Sequence, residues 1–291
     1  MGAPLTVPAP ALFDWSGREV SIAQIDSELG RLRRDSAGED GNPHQRTSVM
    51  THVAWVPPEW LDAAERVLAG MAERHPSRTV ILVPRPAEEG GIDAEISVRC
   101  FPIGESTVCG EVIELALRGN RALAPASIVL PLVISDLPVF LRWRGEPSFR
   151  ESQWQQLVEV ADRVIVDSSE WAAPRHAELV EVFDRTAVSD IAWARTDDWR
   201  IALAARWPAI AGQQIAIRGP RAEGSLLRGW LQSRLERTLP AVEPAGEVGV
   251  LLDGEEVAPP QDQPRSPSDL LSDELDHLGR DPVYEAAASA S

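Results

Sequence analysis

The 291-residue chain contains no lysine; all 28 of its basic residues are arginine. Without lysine there is no Schiff-base nucleophile, no P-loop lysine and no kinase-type ATP lysine. Cysteine is almost as scarce. Cys100 and Cys109 are too few for a structural disulfide framework, and no histidine stands at metal-ligand spacing from them to make a zinc site. No apolar run approaches the roughly 20 residues that span a bilayer. The opening stretch MGAPLTVPAPALFDW lacks the basic and apolar regions of a signal peptide. A soluble, cytoplasmic chain with no membrane partner is expected. Fingerprints of chemistry are lacking too. No G-x-G-x-x-G follows a strand, and G-x-S-x-G, H-E-x-x-H and C-x-x-C are absent. The five histidines, His44, His52, His75, His176 and His277, are scattered without paired spacing. Nothing here predicts a metal, a cofactor or a catalytic residue.

What is present is acidic and apolar. The net charge is -17, with 44% hydrophobic residues, ample for a packed core. Such a field repels nucleic acid, which is not expected as a partner. The charge is uneven. From Pro240 to Ser291, 12 Asp and Glu stand against only Arg265 and Arg280. This tail reads as a solubilising, partly flexible segment or as an electrostatic docking arm.

The hydrophobic pattern predicts an α/β protein of two domains: an N-terminal mixed α/β sheet domain, then a helix-richer α/β C-terminal domain. The boundaries read as 1–45 for an N-terminal helix and linker, 46–168 for the first domain and 169–291 for the second, which carries the acidic tail. Ser21 caps an amphipathic helix bearing Ile22, Ile25, Leu29 and Leu32, an arm that packs on its own domain or on a partner. RTSVMTHVAWV, the helix after Pro57–Pro58, and RTVILVP form a β-α-β unit with parallel strands. IDAEISVRCF and TVCGEVIELALRG alternate in period two around PIGES and predict an antiparallel hairpin. PVFLRW and DRVIVDSS are further strands. EWAAPRHAELVEVF, DDWRIALAARW and GSLLRGWLQSRLERTL read as helices, and QDQPRSPS as a linker.

Several residues stand out as candidates. Cys100 and Cys109 lie on the two hairpin strands and could face each other within reach of a disulfide, or remain reduced and half-buried. Asp162 and Asp167 flank a strand; carboxylates at strand C-termini sit where α/β sheets bind ligands, and they also cap helices. Ten tryptophans against one tyrosine is a skewed inventory, and Trp143, Trp193, Trp199 and Trp230 lie beside Arg or Asp. They are core residues or interface anchors. In SDLPVFLRWRGEP, alternation places Val139, Leu141 and Trp143 on one face, with Phe140, Arg142 and Arg144 on the other. Trp143 then reads as a packing residue, and Arg142 with Arg144 as a two-arginine face for an anion or a partner.

The stretches RTSVMTHVAWV, HPSRTVILVP, CGEVIEL, LPLVISDLPVFLRWRGEP, ADRVIVDSSEW, DIAWARTDDWR, LLRGWLQSRL and LSDELDHLGRDPVYEAA occur in an order that resembles the glucose-6-phosphate dehydrogenase assembly protein family, OpcA. The resemblance runs from about Arg46 to Ala287. It departs at Arg142–Trp143, where the family commonly carries two tryptophans, so only Trp143 carries over. It implies a protein that is not an enzyme, needs no cofactor, and binds glucose-6-phosphate dehydrogenase to promote its active oligomer. It also implies a link between cysteine redox state and control in cyanobacterial relatives. The candidate partner-binding set is Asp136, Arg142, Trp143, Arg144, Asp167, Ser168 and Trp230, with Cys100 and Cys109 as candidate redox residues. The rival reading is a sugar-phosphate enzyme, lactonase- or isomerase-like. It would work through Asp136, Asp167 and Ser168, with Arg142 and Arg144 on the phosphate.

Overall fold

A computed structural model describes residues 11–36, 48–69, 74–103, 106–260 and 265–291. His44, most of the linker before the first domain, Met71 of the helix read after Pro57–Pro58, the tip of the hairpin turn and part of the QDQPRSPS linker lie outside the described residues. The protein is mixed α/β. It divides into two compact units, residues 1–142 with 155–161, and residues 143–154 with 162–291.

In chain order the first unit holds β1 (Ala11–Gly17), α1 (Ile22–Asp35), β2 (Thr51–Trp55), α2 (Leu61–Ala69), β3 (Arg78–Arg85), β4 (Gly91–Ile103), β5 (Ser106–Arg118), α3 (Pro125–Val129) and β6 (Val139–Trp143), whose last residue belongs to the second unit. Most of α4 (Ser152–Val160) belongs to it as well. The strand order is β1-β4-β5-β3-β2-β6. The β2-α2-β3 crossover brings its strands parallel, and β4 with β5 is an antiparallel hairpin, both as the periodicity predicts. β1 was not predicted. It adds antiparallel to β4, pairing Trp15 with Ile96 and Phe13 with Val98.

Helix α1 starts at a capping box, Ser21 accepting from the Gln24 N–H and Gln24 reaching back to the Ser21 N–H. Of the two readings of this arm, packing on its own unit is the one realised. Ile25 and Leu29 are fully enclosed, and α1 lies against β1 and β4. Arg33 grips buried Glu111 through two nitrogens at 2.6 and 2.8 Å, and Arg78 adds a third contact at 2.8 Å. Alternation sorts the sheet. Val80, Leu82, Ile96, Val98, Ile113 and Leu115 are buried on one face. On the other face, α2 covers Ala54, Val56, Ile81 and Val83 through Ala64, Leu61 and Leu68.

The second unit continues with β7 (Arg163–Val166), α5 (His176–Val180), β8 (Ala187–Asp190), α6 (Ile191–Ala194), α7 (Asp197–Ala204), β9 (Ile215–Gly219), α8 (Arg221–Leu235), β10 (Glu243–Pro244), β11 (Gly249–Leu252), β12 (Glu255–Glu256), α9 (Pro267–Leu275) and α10 (Pro282–Ser289). β7 and β8 are parallel, with Val166 beside Asp190. A separate sheet runs β10-β9-β11-β12. One expectation is corrected here. The helix read over EWAAPRHAELVEVF shrinks to α5, because Pro174 interrupts the pattern and 3-10 and turn structure flank it. Among its described residues the acidic tail carries the two helices α9 and α10. Leu270, Leu271, Leu275, Tyr284, Ala287 and Ala288 are buried. α10 comes so close to α8 that a Cβ on Gly229 would lie 2.1 Å from the Ala287 carbonyl oxygen.

Candidate functional site

The C-terminal ends of β7 and β8 collect polar side chains in the second unit. Asp167 follows β7 directly and caps the 3-10 turn Ser168–Glu170. Its Oδ1 accepts from the Ser169 N–H at 3.2 Å and the Ser169 hydroxyl at 2.6 Å. Arg195, just past α6, donates to both oxygens of Asp167, at 2.9 and 2.6 Å. It also reaches Glu223 of α8 at 3.3 Å and the Ser169 hydroxyl at 3.0 Å. Burial lowers the Arg195 guanidinium, but Asp167 and Glu223 outweigh it and hold the group above its ordinary value. Burial holds the Glu223 carboxyl above its own.

Asp190 ends β8. Its Oδ1 takes the Ser168 N–H at 3.0 Å and the Ala192 N–H at 2.9 Å, capping α6. Oδ2 lies 3.6 Å from His176 Nε2, and His176 Nδ1 is 3.0 Å from the Ser291 hydroxyl. A hydroxyl, an imidazole and a carboxylate thus stand in series. Yet His176 and Asp190 are 2% and 0% exposed, so the series has no substrate face and ties the segment after α10 to the strand ends.

Arg144 joins this region through the same 3-10 turn. It pairs with Glu170 at 3.1 Å, the two side chains 12% and 8% exposed, and Glu170 also accepts the Gly145 N–H at 2.6 Å. The two-arginine face is therefore corrected. Arg144 is a structural ion-pair residue of the second unit. Arg142, in the first unit, is 3% exposed because β6 is buried along its whole length. Trp143 packs edge-on against Trp154, centroids 5.1 Å apart. Trp230 is buried on α8, as are Trp193 and Trp199 elsewhere in the second unit. Arg200 stacks 3.6 Å above the Trp193 ring. Asp136 lies in the first unit, exposed and with a left-handed φ of 65°.

Cys100 and Cys109 are joined in a disulfide. Of the two readings of this pair, the reduced one is corrected and the bridged one realised, because the hairpin register sets the two directly opposite.

The structure thus brings together Asp167, Ser168 and Arg144, and leaves Asp136, Arg142 and the cysteine pair in the other unit. Sequence reasoning missed Glu170, Arg195, Glu223 and Asp190. Arg195 lay inside the quoted stretch DIAWARTDDWR, but its carboxylate partner is 28 residues away.

This arrangement defines a mixed α/β protein whose strand-end carboxylates are engaged by its own chain, Asp167 by Arg195 and Asp190 by backbone N–H groups and His176. Residues 69–182, from the end of α2 to just past α5, match a family model described as the glucose-6-phosphate dehydrogenase subunit N-terminal domain. Over 193 residues the chain is 29% identical to a candidate OxPP cycle protein OpcA of Nostoc punctiforme, covering 59% of this chain and 40% of that one. A counterpart from Synechococcus elongatus is 32% identical over 110 residues, covering 36% of this chain and 24% of its own. One from Synechocystis is 28% identical over 103 residues, covering 34% and 22%. These matches show the resemblance to the glucose-6-phosphate dehydrogenase assembly protein family, and residues 69–182 carry it. The chain spans less than half the length of the relatives it matches.

Proposed function

We propose that the chain is a non-catalytic assembly factor of the oxidative pentose phosphate pathway that binds glucose-6-phosphate dehydrogenase and biases it toward its active oligomer. The observation that carries this is the match of residues 69–182 to a dehydrogenase-subunit domain, together with the OpcA relatives. The site geometry supports it over the sugar-phosphate enzyme. Asp167 is occupied by Arg195 and Arg144 by Glu170, which leaves neither free for a phosphate or a reacting carbonyl. Among the described residues no helix is long and apolar enough to cross a membrane; a cytoplasmic site of action is part of the proposal. On this reading Cys100 and Cys109 are the candidate redox control point.

Binding activates only if it favours the active assembly over the inactive one, since equal affinity for both shifts nothing. A difference of about 1–3 kcal/mol changes substrate affinity roughly 5- to 150-fold. The test is titration of the purified dehydrogenase with this chain, following turnover, KM and, by light scattering, oligomer size. A saturable response in any of the three is expected; no response in all three refutes the reading.

A further inference from the structure

The face of the first unit's sheet that carries α2 is polar beyond that helix, and the pairing registers align its side chains in rows. One row runs His52, Thr79, Val112, Ser97, Asp14 across β2, β3, β5, β4 and β1. The next runs Ala54, Ile81, Glu114, Glu95, Ser16 in the same strand order. Apart from Ala54, these residues help line a cavity of about 670 Å³, which Glu65, Arg66 and Leu68 of α2 line as well, together with His75 and Ser77. That volume lies within the roughly 300–1,000 Å³ of small-molecule sites.

Two independent observations give the ligand its chemistry. First, carboxylates converge. Glu95 and Glu114 are directly opposite in register, and Glu65 reaches Glu114 from α2. Burial first, and then the charges of Glu65 and Glu95, push the Glu114 carboxyl up to about 7, against the pull of Arg85. Like charges facing each other across strands destabilise a sheet, and a cation relieves them. Asp14 adds a fourth acid to the lining, against Arg66 and Arg99; a fifth, Glu111, is held by Arg33 and Arg78. The balance disfavours phosphates. Second, His52 is 1% exposed and its Nε2 meets no hydrogen-bond partner. Burial, then Arg142 and His75, push this imidazole down to about 3, so it is neutral near pH 7 and able to hydrogen-bond an N–H or O–H group. A buried polar atom without a partner is costly, and a ligand that supplies one recovers the loss.

We propose that this cavity binds a small organic cation, an amine whose ammonium lies among Glu65, Glu95 and Glu114 and whose second polar group meets His52. The site is separate from the assembly role and its test needs no dehydrogenase. Calorimetric titration of the whole chain with 1,4-diaminobutane, and in parallel with glucose 6-phosphate, decides it. Saturable one-site binding of the diamine is expected. It should weaken about tenfold or more in E95Q and in E114Q, with circular dichroism and the unfolding midpoint confirming that both variants fold. Affinity should rise with pH through about 7, as Glu114 ionises beside Glu65 of α2, Glu95 of β4 and Arg85 of β3. Three results overturn the proposal: no saturable binding, binding unchanged in both variants (diffuse attraction to a chain of net charge -17), or glucose 6-phosphate binding that the same substitutions alter.

Discussion

The Asp167–Arg195 pair separates a structural role from a docking role, and its energetics can be worked from burial. The Asp167 side chain is 6% exposed and that of Arg195 is 34% exposed. In Arg195→Ala the carboxylate stays in the interior, still accepting from Ser169 but stripped of both arginine bonds. Breaking a buried pair this way costs about 3–5 kcal/mol. In Asp167→Asn the amide oxygen still accepts from Ser169, and Arg195 keeps Glu223 and solvent. Water screens that partly exposed guanidinium, so about 1–2 kcal/mol is expected. Once Asn is in place, losing the arginine leaves no charge at position 167, and the Glu223 carboxylate it uncovers is uncovered equally in the single variant. The double variant should therefore cost less than the sum of the singles by about 1.5–3 kcal/mol. Urea denaturation followed by far-ultraviolet circular dichroism, with the slope checked for constancy, measures all three. A folded Asp167→Asn variant should also retain the dehydrogenase response. An Arg195→Ala cost below about 1 kcal/mol, or a coupling below about 0.5 kcal/mol, refutes the structural assignment. A stable Asp167→Asn variant with no dehydrogenase response makes Asp167 a contact residue instead.

Two further outcomes follow from the same accounting of burial. Arg144→Ala takes from enclosed Glu170 the ion pair at 3.1 Å, so the unfolding free energy should fall by about 3 kcal/mol; a value within error of the unsubstituted chain contradicts the pairing. Glu114 titrates at about 7 in the folded chain, above its ordinary 4.5. The native state therefore holds this proton more tightly than the unfolded state. The contribution is fully present below about 4.5 and is lost as pH rises through about 7. Glu114→Gln should remove that loss, giving a flatter profile of thermal midpoint against pH; an unchanged profile assigns the slope to other groups.

What could be read from sequence and what could not divide along local and non-local lines. The β-α-β unit, the hairpin, the Ser21 cap and the position of Asp167 at a strand end each follow from residues close together in the chain, where periodicity and capping act. β1 escaped because ALFDWSG follows a proline-rich stretch and earns its strand only by pairing with β4, 77 to 89 residues away. β8 escaped because AVSD is as short as β7 but lacks the continuous apolar run, VIV, that marks β7. The arginine pair of SDLPVFLRWRGEP shows the limit most clearly. Alternation puts Arg142 and Arg144 on the same side of a strand. It does not say whether that side is covered, and β6 is buried on both faces, so Arg142 is interior. Nor does it supply Glu170, which comes from a turn 26 residues after Arg144. The cavity is the same lesson in reverse. His52, Thr79, Glu114, Glu95 and Asp14 have nothing in common along the chain, and alternation assigns each only a face of its own strand. The registers turn those faces into rows, and the rows set an unpartnered imidazole on the same surface as a cluster of carboxylates. Register is fixed by every strand at once, so a site built from it carries no sequence motif.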